Sequence, residues 1–467
     1  MDAFLDAVRA IVGPTHCLCG EAAAPYLTDW RGRYTGSARA VAFPADTAEV
    51  AALVRVCVDA DVPIVPQGGN TGLCGGATPL DDGRALLIQL SRLNRIRHVD
   101  GGNNALTAEA GVTLAAVHAA AEAADRQFPL SLASEGSCEV GGVISTNAGG
   151  VQVLRYGNTR ELVLGLEVVL PDGQIWNGLR ALRKDNTGYD LKHLFIGAEG
   201  TLGIVTAATL KLFPRPVATR TVWLAIPHPM AAVALLGQMR ARAGDRLTAF
   251  ELVSRVSLDL VLQHLPGARD PLPTVHPWYV LAELTDTVRD ASLDAMAETL
   301  TAEVLELGLV QDGTVASSEA QARALWALRE HISEAQKREG YSIKHDISLP
   351  VSAIPDFLDD VAGRLEQVWP GLRIVCFGHL GDGNLHYNLS LPVSADNAGL
   401  IARSSDVSGL VHDRVHRFGG SISAEHGIGQ LKRGLLPRYK SEVELDLMRR
   451  IKAAMDPAGR MNPGKVL

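Results

Sequence analysis

The chain has 467 residues, with 44 lysine and arginine side chains against 52 aspartate and glutamate, a length that predicts two or three domains rather than one core. The mildly acidic balance, without a dense Lys/Arg run, argues against nucleic acid as a partner. No apolar stretch reaches the ~18 residues of a transmembrane helix, Met1–Asp6 carries acids where a signal peptide carries bases, and six scattered cysteines lack the density of a disulfide scaffold, so a cytoplasmic protein with reduced thiols is expected.

After a short N-terminal helical segment, residues 1–30, Asp46 to Glu49 offers a capping-box-like start to a helix with Val50, Leu53, Val54, Cys57 and Val58 on one face. Val62–Val65 reads as a buried strand running into Pro66–Gly76, where five glycines in nine residues allow a tight turn whose main-chain N–H groups can face an anion. No Gly-Lys-Ser/Thr follows, and no Gly-x-Gly-x-x-Gly opens a helix, so the loop is neither a Walker loop nor a Rossmann fingerprint. A second glycine-rich segment, Glu135–Gly150, precedes a strand over Leu162–Leu170 and a turn at Pro171-Asp172-Gly173. A third, Lys184–Leu191, leads to Ile196–Val205. One such stretch would only punctuate turns; three within about 140 residues suggest backbone lining an extended ligand.

Past Pro214-Arg215-Pro216 the texture changes to alternating apolar strands and amphipathic helices, a second domain starting near residue 217. Within it Leu325–Ser333 reads as a helix that places Arg329 and Ser333 four apart on one face. The runs flanking His379-Leu380-Gly381-Asp382-Gly383-Asn384-Leu385-His386 read as two strands joined by a two-residue Asp382-Gly383 turn. That register puts His379 opposite His386, with Cβ atoms about 5 Å apart, close enough to share a cation. Imidazole suits zinc, manganese or ferrous iron. Glu425 could complete a His/His/Glu set with an open position, leaving His426 to accept a proton; two hydrogen-bonded core histidines are the competing reading. From Gly419 the chain is motif-like again, ending in Arg460–Lys465.

The order of these motifs resembles the vanillyl-alcohol oxidase/p-cresol methylhydroxylase superfamily of FAD proteins over most of the chain. Pro66–Gly76 matches its pyrophosphate loop, Glu135–Gly150 its second flavin segment and Gly197–Val205 its third. The His379–His386 motif, Glu425-His426-Gly427-Ile428-Gly429 and Asn462-Pro463-Gly464-Lys465 resemble the D-2-hydroxyacid dehydrogenase branch, nearest its D-2-hydroxyglutarate dehydrogenases. The resemblance implies an α+β fold, with a two-subdomain FAD-binding domain over 31–216, an α+β substrate domain over 217–418 and a C-terminal segment, 419–467, returning to the flavin. It assigns FAD contacts to Pro66, Gly68, Gly69, Asn70, Thr71, Gly72, Gly75, Gly76, Glu135, Ser137, Gly141, Gly142, Ser145, Asn147, Gly149, Gly200, Ile204, Val205 and Asn462. It assigns a divalent metal, zinc or else manganese or iron, to His379, His386 and Glu425, and catalysis to His426. Substrate binding goes to Arg329, Ser333, Lys344 and Asn388, with His426 facing the substrate as base. Serine replaces the branch's threonine at 333.

The implied reaction is oxidation of a D-2-hydroxy acid, D-2-hydroxyglutarate or D-malate, by hydride transfer to flavin N5. Pro66–Gly76 contains no histidine for covalent attachment, so noncovalent FAD is expected. The implied partners are a second copy of the chain and an electron-transfer flavoprotein or quinone-linked carrier. The rival readings are a D-lactate or glycolate dehydrogenase on the same scaffold and a non-redox flavin transferase of the alkylglycerone-phosphate synthase kind.

Overall fold

The computed structural model describes residues 2–289, 292–392 and 397–467. They fold as α+β in two compact units, one made of the chain up to Gly149, Gly157–Arg215 and Glu425–Leu467, the other of Gly150–Tyr156 and Pro216–Ala424. No helix among the described residues is long and apolar enough to cross a membrane.

The first unit holds two sheets. In the smaller, Ile64–Gln67 and Ala40–Ala42 flank Leu86–Gln89 in parallel, and Cys17–Leu18 adds an antiparallel edge. Helices Ala3–Val12 and Thr47–Asp59 cover it, burying Val8, Val50, Leu53, Val54 and Cys57 against Ile64, Leu86 and Ile88. The second helix starts where its sequence pattern predicts: Asp46 accepts from the Glu49 amide at 2.9 Å, and Glu49 accepts from the Ala45 amide at 2.7 Å. The expected strand is present two residues later than predicted, at Ile64–Gln67, because Val62 is spent on a helix-end bond to the Cys57 carbonyl. The larger sheet is antiparallel in the order Ile96–Asp100, Ala105–Glu109, Ile204–Lys211, Val163–Val169, Ile175–Gly178. The C-terminal residues return to the smaller sheet, where Ile64 donates to Arg460 and accepts from Asn462, giving a parallel bridge.

The second unit is built on one antiparallel sheet. Its described strands run Asp312–Val315, Ala218–Ile226, Trp278–Asp286, Leu247–Ser254, Arg373–Gly378, Asn384–Ser390 and Ser342–Ile343, and Asp346–Ser348 also pairs with Asn384–Ser390. Helices Arg255–His264, Glu319–Glu330 and Ile332–Glu339 lie against it over a core of Trp223, Tyr279, Leu258, Leu328, Ile332 and Phe377.

In the first unit the buried Glu167 carboxylate holds a helix to a sheet, accepting from Thr47 at 2.7 Å, Arg97 at 3.0 Å and Thr206 at 3.0 Å. Burial pushes its pKa up, but Arg97 and Thr47 outweigh that and hold it below its ordinary 4.5. A depressed carboxyl contributes stability that is complete above its ordinary value and lost as pH falls through the folded one. Glu167→Gln is expected to cost about 2 kcal/mol, less than a fully buried pair because Arg97 keeps some solvent. Its melting temperature should also fall less steeply than the wild type's on acidification from neutral pH, which a pH series of thermal melts would show.

Candidate cofactor and active site

In the first unit the three glycine-rich segments meet backbone to backbone. A Cβ at Gly69 would stand 1.9 Å from the Ser137 carbonyl oxygen, and one at Gly200 2.5 Å from the Pro66 ring, so only glycine lets these loops close on one another. Side chains then brace the Pro66–Gly76 loop from behind. Gln67 donates to Tyr26 and Ala77 carbonyls, Gln89 to Gly68, and Asn70, left-handed at φ 53°, to Thr28. Gly72 and Gly142 have nothing within 4 Å of their Cβ positions, leaving open backbone next to the braced loop. Open glycine backbone beside a braced loop fits a dinucleotide whose phosphates are held by N–H groups.

The other predicted cofactor residues fall around this cradle. Gly141 packs on Ala110, Ser145 donates to the Gly141 carbonyl, and Asn147, at φ 51°, accepts from the Arg160 amide. Gly149 is buried at the end of the second segment; Ile204 and Val205 are buried at the start of their strand. Gly75 sits under the Tyr34 ring. Thr71 is half-buried. Asn462 donates to Gly76 and Glu199 carbonyls at 2.9 and 2.7 Å, tying the C-terminal segment to two of the loops. Two residues point elsewhere: the Glu135 carboxylate lies 3.6 Å from His118, and the exposed Ser137 hydroxyl turns to Ser134. Glu139 is a residue the motif pattern does not mark. Its carboxylate is buried, one oxygen has no hydrogen-bond partner and lies 3.1 Å from the Cβ position of Gly68, and burial raises its pKa to about 8.

The same unit carries Glu425 and His426, with His426 Nε2 3.4 Å from Glu425 Oε1. The turn that follows is anchored: Ile428 and Gly429 amides donate to Glu199, Gln430 and Leu431 amides to the Cys74 carbonyl, and the Cys74 thiol to the Gly427 carbonyl.

In the second unit the expected hairpin register is not present. Phe377, not His379, pairs with His386, and a five-residue connection replaces the two-residue turn. Burial of Leu380 explains the difference. To seat it, the chain wraps inward, with the His379 carbonyl accepting from Asp382, Gly383 and Asn384 amides and the Gly381 amide donating to Phe250. His379 therefore sits in the connection, yet its ring still reaches His386: the centroids are 5.9 Å apart at 75°, and ring nitrogens lie within 4.8 Å. Asp346, also unmarked by the motifs, is buried on the adjoining strand in register with His386.

Glu251 organises this half. Its fully buried carboxylate accepts from His379 Nδ1 at 2.6 Å and from Arg329 Nε at 2.7 Å. Burial pushes its pKa up, but the charges of His379 and Arg329 prevail and hold it at about 2. Glu251 takes His379 through Nδ1, the arrangement in which a carboxylate orients a metal-binding imidazole. Arg329 lies over the Phe377 ring at 4.8 Å, and among the described residues its two Nη nitrogens have no hydrogen-bond acceptor. No motif marks Glu251, although a single acid inside the apolar run Leu247–Ser254 is itself a sign of a buried partner.

The remaining predicted substrate residues are not gathered on one helix face. The helix breaks at His331, so Arg329 ends Glu319–Glu330 buried while Ser333 opens Ile332–Glu339 exposed. Ile332 and Ala335 take the core positions of the second helix, which turns Ser333 outward. Lys344 is exposed between two short strands. Asn388 is buried, its amide accepting from His345 N–H and donating to Gln336.

Two family models match, "FAD binding domain" over residues 38–178 and "FAD linked oxidases, C-terminal domain" over 215–466. The chain is 42% identical over 444 residues to the D-2-hydroxyglutarate dehydrogenase of Xanthomonas citri pv. viticola, covering 94% of this chain and 92% of that one. It is 40% identical over 447 residues to the mitochondrial D-2-hydroxyglutarate dehydrogenase of Bos taurus, covering 95% and 79%. A p-cresol methylhydroxylase structure superposes with a TM-score of 0.77 at 17% identity, covering 99% of this chain and 96% of the other, and so shares its fold. With the FAD-binding model over the first two glycine segments, the oxidase C-terminal model over more than half of the chain, and relatives about 40% identical along most of it, the chain belongs to the FAD-linked oxidases, an enzyme family of the p-cresol methylhydroxylase fold.

Proposed function

We propose that the protein oxidises a D-2-hydroxy acid to the 2-oxo acid, with D-2-hydroxyglutarate the preferred substrate and D-malate a second. The observation that carries the reading is the shared Glu251 carboxylate, which prepares a histidine for a metal and an arginine for an anion within one buried cluster. Both groups are what a dicarboxylate with a 2-hydroxyl needs. The relatives' names point to the same substrate.

When bound, FAD supplies a two-electron acceptor at N5 for the C2 hydride, and a divalent cation, zinc or else manganese or iron, supplies Lewis-acid polarisation of the hydroxyl. His379, His386 and Glu425 would hold that cation, a His/His/Glu donor set of the kind catalytic metals use. His426 takes the hydroxyl proton on a ring nitrogen as the C2 hydride departs, so one proton and one hydride leave the alcohol and a ketone remains. Arg329 binds the distal carboxylate through its Nη groups; Asn388 and Lys344 are assigned to the same substrate by the resemblance alone, and Ser333, turned outward on the next helix, is set aside. FAD is held without a covalent link: Pro66–Gly76 has no histidine, and the Cys74 thiol is buried on the Gly427 carbonyl.

Anaerobic addition of D-2-hydroxyglutarate should bleach the flavin absorbance of the purified protein faster than D-malate or D-lactate, and chelation should slow it. A flavin spectrum unchanged by all three acids would discard the dehydrogenase reading. Arg329→Lys keeps a cation beside Glu251 but loses the planar fork. It is expected to lower kcat/KM for D-2-hydroxyglutarate by about 10- to 100-fold, the worth of a charged hydrogen bond, and for D-lactate much less; equal losses would remove Arg329 from the substrate. Glu139 makes a pH prediction. Its carboxyl, raised to about 8 by burial, is neutral at pH 7 and becomes an anion beside the phosphate loop above that value. FAD retention, followed by flavin fluorescence after dilution, should weaken from pH 7 to 9, and Glu139→Gln should abolish the weakening.

A further inference from the structure

Glu199 has a backbone that costs energy and a carboxylate that the cofactor reading leaves without a task. It lies at φ 51°, between Gly197 at 80° and Gly200 at 71°, in the left-handed region where a non-glycine residue is strained. Its amide donates to the Ser145 carbonyl at 2.8 Å and its carbonyl accepts from Asn462, so the residue is locked between the second flavin segment and the C-terminal one.

Its side chain reaches across 229 and 230 positions of sequence. Oε1 accepts from the Ile428 amide at 2.7 Å and Oε2 from the Gly429 amide at 2.8 Å. Space on both sides of the carboxylate is taken up: a Cβ at Gly427 would stand 2.8 Å from Oε1, and one at Gly76 3.3 Å from Oε2. A two-oxygen acceptor for two successive amides fixes both the position and the rotation of the turn. The Cys74 carbonyl holds the next two amides, at 2.9 and 3.2 Å. His426 and Glu425 are the residues immediately before that turn.

We propose that Glu199 is a positioning residue for Glu425 and His426. It clamps the Gly427–Gly429 turn to the third cofactor segment and sets the base and the metal-binding carboxylate at a fixed place relative to the flavin cradle. The role assigned to Glu425 and His426 rests on the dehydrogenase reading above; the clamp itself does not.

Glu199→Gln preserves size but turns one acceptor into an N–H₂ group that faces an amide N–H. In the FAD-loaded protein this variant is expected to bind zinc about 10- to 100-fold more weakly in chelator competition, the usual effect of losing a partner that orients a ligand. With zinc saturating, the limiting rate of anaerobic flavin reduction by D-2-hydroxyglutarate should drop about tenfold or more, while FAD occupancy and the half-saturating substrate concentration change by less than about threefold. Glu199→Asp, which keeps both oxygens, should recover part of each loss. Unchanged zinc affinity and reduction rate in Glu199→Gln would overturn the proposal, as would parallel loss of FAD, which marks a purely structural role. Amide exchange on the unaltered holoprotein gives a second reading if the variant does not fold: Ile428 and Gly429 should be among the slowest amides of the C-terminal segment, and exchange at open-loop rates would also overturn it. A wild-type flavin that no hydroxy acid reduces would instead count against the dehydrogenase reading, and the zinc and exchange measurements would still decide the clamp.

Discussion

The Glu251 carboxylate on an interior strand sets the terms for everything proposed of the second unit. A buried anion is expensive, and it persists only when partners neutralise it with good geometry. Here the partners are an imidazole and a guanidinium on separate elements, one on the connection before Asn384–Ser390 and one at the end of Glu319–Glu330. The strand is in the middle of the sheet, so a partner that moved away would leave the charge buried and unpaired. The requirement is mutual. Arg329 is nearly enclosed against Phe377 and would be an unpaired buried cation without Glu251.

Much of this was readable in the residues, and what was not has a physical reason. Local chemistry is legible locally: the Asp46–Glu49 cap starts its helix as patterned, and the glycine segments form the close-packed turns their composition implies. Register is not local. The Asp382-Gly383 pair suits a two-residue turn, but burying Leu380 and docking Gly381 on Phe250 outweigh turn propensity, and the strands shift accordingly. The break at His331 has the same character, since a 3.6-residue period runs through it without a proline or glycine to flag it. The motifs mark His379, His386, Glu425 and His426 locally; no motif marks Glu251, which binds His379, or Glu199, which binds the turn after His426, because each reaches a partner more than a hundred positions away.

The first unit shows how polar residues can be used for shape. Asn70, Asn147, Glu199 and Asn462 all adopt left-handed backbone where glycine would be easier. Each also uses its side chain to brace a neighbouring segment, to Thr28, to Arg160, to Ile428 and Gly429, and to Gly76. Glycine would relieve the strain and lose the brace. The cradle is therefore braced where it carries these side chains, while its glycines either let loops close on one another, as at Gly69, or leave backbone open, as at Gly72, a division suited to a ligand bound mainly through main-chain groups.

The bridge between Ile64 and the Arg460–Asn462 segment also constrains the order of events in biosynthesis. An emerging chain makes the Pro66–Gly76 loop early, but the edge of the sheet that supports it is finished only by residues almost 400 positions later. Chains lengthen at roughly 5–20 residues per second, so a nascent chain spends tens of seconds with that edge unpaired. In that interval the exposed edge is open to wrong pairing with other chains.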